Sequence, residues 1–170
     1  MRVIFEGLLT KSGHSYTVQQ LTLDDLEEIL TLQDIVFQQL ENKEILQKLS
    51  KEEFLYILEG KGLAIGTFID KELIAIRALL VPPIDENHLG LAVGLKDEEL
   101  NKVIYQEISF VHPEYRGNRL QQLLAKLIML ELEKLEHTYR YVCCTVAPFN
   151  IPSLMDKFNQ HMYVKALKRI

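Results

Sequence analysis

The sequence predicts one α/β domain, with helices packed on a sheet, and three observations lead to that class. Apolar residues recur with a helical period in some segments and alternate with a period of two in others, and the two kinds of segment interleave along the chain. Two helix starts carry their side-chain caps in the sequence, which gives those helices defined beginnings. The 170 residues, 48% hydrophobic and 25% charged, suit one domain over 1–170 that buries about two-thirds of its unfolded surface without disulfide or metal. No repeat, low-complexity tract or composition shift marks a second domain, and 1–14 reads as an N-terminal extension.

Each element follows from local chemistry. Tyr16 to Leu21 reads as a short strand. Thr22 then begins a helix, with Asp25 placed to reach back to it and Leu21 and Leu26 placed as a hydrophobic staple. Leu23, Leu26, Ile29, Leu30, Val36, Phe37 and Leu40 carry that helix over several turns. The same grammar recurs at Ser50 and Glu53, with Leu49 and Phe54 as staple, and the second helix stops at Gly60. Segments 63–69 and 73–81 are strands joined by Asp70-Lys71-Glu72, and Pro82-Pro83 ends the hairpin. Residues 84–100 are irregular. Val103 to Val111 is the next strand, followed by a proline-containing turn and a long helix over 119–136 with Leu120, Leu124 and Ile128 on its buried stripe. A strand over 140–146, a short helix over 153–160 and a last strand over 162–167 complete the order.

Charge and composition exclude several functions. A net charge of −5 and a pI near 5.6, with no clustered Lys and Arg, argue against a nucleic-acid surface and mildly favour a cationic amine as ligand. No apolar run approaches the ~20 residues of a membrane span, and the first residues are too short and too polar for a signal peptide. Cys143 and Cys144 are adjacent in a strand, so their side chains point to opposite faces, as expected of reduced thiols in a cytoplasmic protein. The histidines show no ligand spacing, and no metal is expected.

The informative stretch is Val111-His112-Pro113-Glu114-Tyr115-Arg116-Gly117-Asn118-Arg119-Leu120-Gln121, between a strand and a helix. A helix start presents unpaired N–H groups and partial positive charge, which together hold a phosphate or diphosphate. Gly117 removes a Cβ where a ligand approaches, and Arg116 and Arg119 can add charge-assisted contacts. A plain strand-to-helix turn with two solvated arginines has the same letters.

This stretch resembles the hallmark of the GNAT family of acyl-coenzyme A-dependent N-acyltransferases, Gln/Arg-x-x-Gly-x-Gly/Ala preceded by Val-x-Pro-x-Tyr. Val111, Pro113, Tyr115 and Arg116 match, whereas Arg119 and Gln121 stand where the family has small residues. The order of elements over about 15–167 is similar to the family as well. The resemblance implies a mixed, largely antiparallel sheet with a splay between two central parallel strands, Val103–Val111 and 140–146. It implies acetyl-coenzyme A in that cleft, with the backbone of Phe110 and Val111 on the pantetheine arm and residues Arg116, Gly117, Asn118, Arg119, Leu120 and Gln121 at the diphosphate. Asn150 and Ser153 stand where the family contacts the cofactor after its second strand, and Asn150 also suits a helix start.

The resemblance further implies direct transfer of an acetyl group to a primary amine of a small molecule or peptide, the acceptor pocket being formed from 35–60 and 82–100. Glu107, four residues before Val111 and on its face if pairing is regular, is the candidate base, and a solvent-facing carboxylate is the other reading. Phe158 falls where the family has a proton-donating Tyr, so Tyr163 or His161 would have to substitute, and a non-catalytic acyl-coenzyme A sensor is the rival function. Only one candidate strand follows 153–160, which leaves a sheet edge for the Val3–Leu9 segment to cover or for a second copy to pair with as a homodimer.

Overall fold

The computed structural model describes residues 2–167. Its strands β1 (Val3–Leu8), β2 (Ser15–Gln20), β3 (Gly62–Ile69), β4 (Glu72–Leu80), β5 (Val103–Val111) and β6 (Tyr141–Cys143) form one sheet in chain order. All neighbours are antiparallel except β5 and β6, which are parallel. Helices α1 (Leu26–Gln39) and α2 (Lys51–Tyr56) cover one face and α4 (Leu120–Glu133) the other, with short α3 (Leu89–Ala92) before β5 and α5 (Ile151–Asn159) after β6.

Burial on both faces explains why β3 and β4 read as near-continuous apolar runs. Leu63, Ile65, Ile74 and Leu79 pack with Leu120, Leu124, Ile128 and Leu132 of α4. Ala64, Phe68, Ile76 and Ala78 pack with Ile29, Leu32, Val36 and Phe54 of the other helices. Between β3 and β4 the chain reverses on Asp70 and Lys71, both left-handed at φ 48° and 71°, a two-residue turn whose twist suits the flanking strands. At Thr22 the reciprocal half of the box forms, Thr22 N–H donating to Asp25 at 2.8 Å, and at Ser50 both halves form, Glu53 N–H donating to Ser50 Oγ at 3.1 Å and Ser50 N–H to Glu53 at 3.3 Å.

The C-terminal part departs from expectation. The strand over 140–146 narrows to Tyr141–Cys143, and 162–167 is coil. Val3–Leu8 does become a strand, but it covers the edge of β2, at the far end of the sheet from β6. The parallel pair therefore ends the sheet and is not central to it.

Candidate active site

A cleft opens where β5 and β6 part. Among the described residues their pairing comprises Val103 with Tyr141, Ile104 with Val142 and Tyr105 with Cys143, and β5 from Gln106 onward has no described strand on that side. His112 N–H donates to Ile74 C=O at 2.7 Å, which fixes the direction of the groups before it. Pairs on an antiparallel ladder alternate, so Phe110 also spends its N–H and C=O on β4, while Val111 and Ser109 turn theirs to the open edge. On this register Phe110, expected on the pantetheine arm, faces β4, and Ser109 shares the open edge with Val111. Two-residue alternation counted back from Val111 is the sequence signal that would have placed Ser109 beside it.

A β-bulge re-aims the candidate base. Ala78 pairs with Ile108 and Leu79 with Gln106, which leaves Glu107 as the extra residue. In consequence Ile104 packs on the α4 side and Ile108 on the α1 side, although four residues apart they would otherwise share a face. Glu107 thus does not share a face with Val111, because pairing between them is not regular. Burial pushes the Glu107 carboxyl above its ordinary range, and the Glu53 carboxylate of α2 adds a smaller push. A carboxyl so placed holds its proton more tightly than a surface glutamate.

The start of α4 lacks a side-chain cap. Ser50 caps α2, His88 caps α3 and Asn150 caps α5, whereas Arg119 makes no such bond at the start of α4. No acidic residue stands in the first turn of α4 either, so no side-chain charge offsets the positive end of its dipole there. Arg119 itself is left-handed at φ 58°, and Gly117 at φ 81°. Arg119 stands where the family has a glycine, so the backbone keeps the glycine-like shape and carries about 1 kcal/mol of strain to do so. Gln121 turns inward, its Oε1 buried without a partner, and Leu120 lies in the core. Asn118 is buried and committed to the protein: Nδ2 donates to Tyr115 C=O at 2.8 Å and Oδ1 accepts from Lys11 N–H at 3.0 Å.

The opposite wall is α5. Asn150 Oδ1 accepts from Ser153 N–H at 3.3 Å and Nδ2 donates to Ile45 C=O at 3.4 Å, so the residue caps the helix and ties it to the loop between α1 and α2. Arg77 of β4, 2% exposed, donates to Asp156 at 2.9 Å and to Gln106 at 3.4 Å, and Gln106 donates to Gln160 at 2.7 Å. Burial alone would raise the Asp156 carboxyl, but Arg77, with Lys157 beside it, holds it below the usual range. Nothing in the sequence marked this pair except a lone charge in an apolar strand. Phe158 and Tyr163 are exposed, Tyr163 at 75% and in the coil after α5, so Tyr163 is not brought to Glu107 by a described contact. Burial raises both cysteine thiols, which disfavours either as a nucleophile. Among the described residues no cluster of three or more His, Cys, Asp or Glu could hold a metal ion, and no helix is long and apolar enough to cross a membrane.

The fold has counterparts in solved structures. An aminoglycoside N-acetyltransferase in complex with coenzyme A superposes with a TM-score of 0.64 at 14% identity, over 95% of this chain and 97% of that one. A ribosomal-protein-alanine N-acetyltransferase from Brucella melitensis biovar Abortus 2308 gives 0.63 at 13% identity, over 92% and 97%. The GNAT domain of an S. lividans protein gives 0.62 at 15%, over 91% and 85%. The chain has the GNAT acetyltransferase fold. No family model matches it and no curated protein matches it, so the likeness is one of fold.

The residues present suit an acyl-coenzyme A within that fold. An open strand edge offers amide-pairing groups to a pantetheine arm, and an uncapped helix start offers donors to a diphosphate. Gly117, exposed and without a Cβ, borders that start.

Proposed function

We propose that the protein transfers an acetyl group from acetyl-coenzyme A to a primary amine of a small molecule or peptide by direct attack. One observation carries the reading: the parting of β5 and β6 runs toward a helix whose start is uncapped. Acetyl-coenzyme A, as co-substrate, would supply the activated thioester, and coenzyme A would leave as the thiol. Val111 and Ser109 hold the pantetheine arm along the open edge, and Arg116, Gly117 and Arg119 with the first N–H groups of α4 hold the diphosphate. Leu120 and Gln121 contribute N–H groups there, and Asn150 and Ser153 line the facing wall.

Attack requires an uncharged amine. Glu107 accepts its proton, directly or through water, and the raised carboxyl suits that task. The open-edge N–H of Ser109, the one nearer Glu107, is placed to stabilise the oxyanion. The departing thiolate needs little help, because a thiol of pKa about 8.5 lies some 1.5 units above neutrality, a demand of about 2 kcal/mol. Three sources remain for that proton: bulk water, the Tyr163 phenol and His161. A fall in kcat for Tyr163→Phe alone would assign it to Tyr163, a fall for His161→Ala alone to His161, and an unchanged kcat in both variants to water.

The amine approaches from the side of α2, where Glu53 and Glu107 favour a cation, with the segments 35–60 and 82–100 shaping the pocket. The proposal includes one domain over 1–170, a cytoplasmic setting, no metal, and a homodimer. Exposed Phe149, Ile151 and Met155, on α5 and just before it, support the dimer, and a monomeric mass by light scattering would remove it.

Thermal shift with coenzyme A tests the binding half. Wild type gains stability, and Arg116→Ala and Gly117→Val gain much less; equal gains in all three would move the ligand elsewhere. Phe158, which has no proton to give, favours a second reading as an acyl-coenzyme A sensor. Cofactor binding without thiol release against a broad amine panel would support the sensor, and release dependent on one amine the enzyme.

A further inference from the structure

The hairpin between β1 and β2 ends against the start of α4, more than 100 residues away in sequence. Its tip is tightly built. Leu9 is 3% exposed within the core, Leu9 N–H donates to His14 C=O at 2.8 Å, and Gly13, left-handed at φ 74°, donates back to Leu9 at 2.9 Å. Asn118 then fixes the tip to the turn, accepting from Lys11 N–H at 3.0 Å and from the Thr10 hydroxyl at 3.4 Å. Because Asn118 is about nine-tenths buried with both ends of its amide occupied, its part at this turn is to place the hairpin.

What it places is Lys11. The lysine side chain lies over Gly117, where a Cβ would come within 2.6 Å of Lys11 Cε. No carboxylate pairs with its ammonium among the described residues, nor with Arg116 or Arg119, although the chain carries five more acidic than basic side chains. Three unpaired cations on an acidic protein therefore gather at one uncapped helix start. A flexible cationic stem at that corner can swing onto an incoming anion, whereas an apolar side chain there would only obstruct it.

We propose that Lys11 is a third cation of the diphosphate site, delivered by the β1–β2 hairpin and aimed by Asn118. The inference rests on the coenzyme A reading above and names a ligand contact that the 111–121 stretch does not contain. Lys11 donates a charge-assisted hydrogen bond to a phosphate oxygen, and ligand binding holds the hairpin tip more firmly against α4.

Calorimetric titration with coenzyme A, and shift titration with pantetheine, which lacks phosphate, test this on wild type, Lys11→Met and Lys11→Arg. Lys11→Met keeps most of the stem and is expected to raise the Kd for coenzyme A by about tenfold while leaving pantetheine unchanged, and Lys11→Arg restores most of the loss. Equal coenzyme A affinity for Lys11→Met and wild type, with Arg116→Ala weakened, would overturn the lysine and leave the cofactor reading intact. A parallel loss for coenzyme A and pantetheine would overturn it as well, assigning Lys11 to packing over Gly117. Absence of coenzyme A binding to wild type would remove the cofactor reading and this inference with it.

Discussion

The two walls of the cleft are held by different forces. On one side, β3, β4 and β5 lie between two apolar layers, and α4 alone buries Leu120, Leu124, Ala125, Ile128 and Leu132. On the other, α5 has no buried residue and β6 is three residues long, each half-buried. Apart from Val142 of β6, which packs against the α4 core, that wall is attached by polar contacts: Arg77 to Asp156, Gln106 to Gln160, Asn150 to Ile45 and, for β6, Tyr141 to Glu99 at 2.6 Å. The cleft thus forms where the apolar scaffold runs out, with a wall set by burial facing a wall set by hydrogen bonds and one buried ion pair. On the proposed reading, a site of this kind keeps its base and its backbone donors on the firm side and can admit ligand by small movements of the other.

The largest expected effect is on chemistry at the firm wall. Glu107→Gln should lower kcat by about 10²–10⁴-fold with the fold intact. The pH profile of wild-type kcat/KM should rise through a midpoint above the ordinary glutamate value of about 4.3, and that limb should vanish in the variant. A raised carboxyl favours the folded state while protonated and loses that advantage as pH rises through its folded pKa. Glu107→Gln should accordingly hold or raise the thermal midpoint at neutral pH, and a marked fall would recast Glu107 as structural.

Asp156→Ala leaves Arg77 buried without its carboxylate and should cost about 3–5 kcal/mol. If the walls differ as described, amide exchange in α5 will accelerate while α4 stays protected; equal acceleration in both would dissolve the distinction. Acid should act in the same way. The lowered Asp156 carboxyl contributes stability above the usual aspartate range, and that contribution is lost as pH falls through its folded pKa, so α5 should loosen before the core does. Leu124→Ala, by contrast, should cost about 2–5 kcal/mol across the whole domain, with little dependence on salt or pH, measured by urea unfolding.

The smallest effect concerns the backbone of the turn. Arg119→Gly should stabilise the ligand-free protein by about 1 kcal/mol, since glycine takes φ 58° without strain, yet weaken coenzyme A binding through the lost charge. A destabilised Arg119→Gly would mean that the arginine side chain holds the turn.

Much of the firm wall was legible in the sequence, because its signals are local. Thr22 with Asp25 and Ser50 with Glu53 wrote their own caps, and the 111–121 stretch showed a helix start beside a glycine. What was hidden depends on partners distant in the chain. The bulge at Glu107 comes from how β5 seats on β4, and it overturned a face assignment that assumed even pairing. Lys11 reaches its turn only through the hairpin, and Arg77 needs a carboxylate from α5. The last strand failed for a related reason. Segment 162–167 has only Tyr163 and Val164 as strong strand formers, and β6 is too short to offer it a ladder.

Residue-resolved amide exchange along β5, with and without coenzyme A, tests the open edge most directly. Without ligand, Phe110 should exchange slowly and Ser109 and Val111 quickly; with coenzyme A, Ser109 and Val111 should become protected. Unchanged exchange at those two amides under saturating coenzyme A would contradict the placement of the cofactor between β5 and β6.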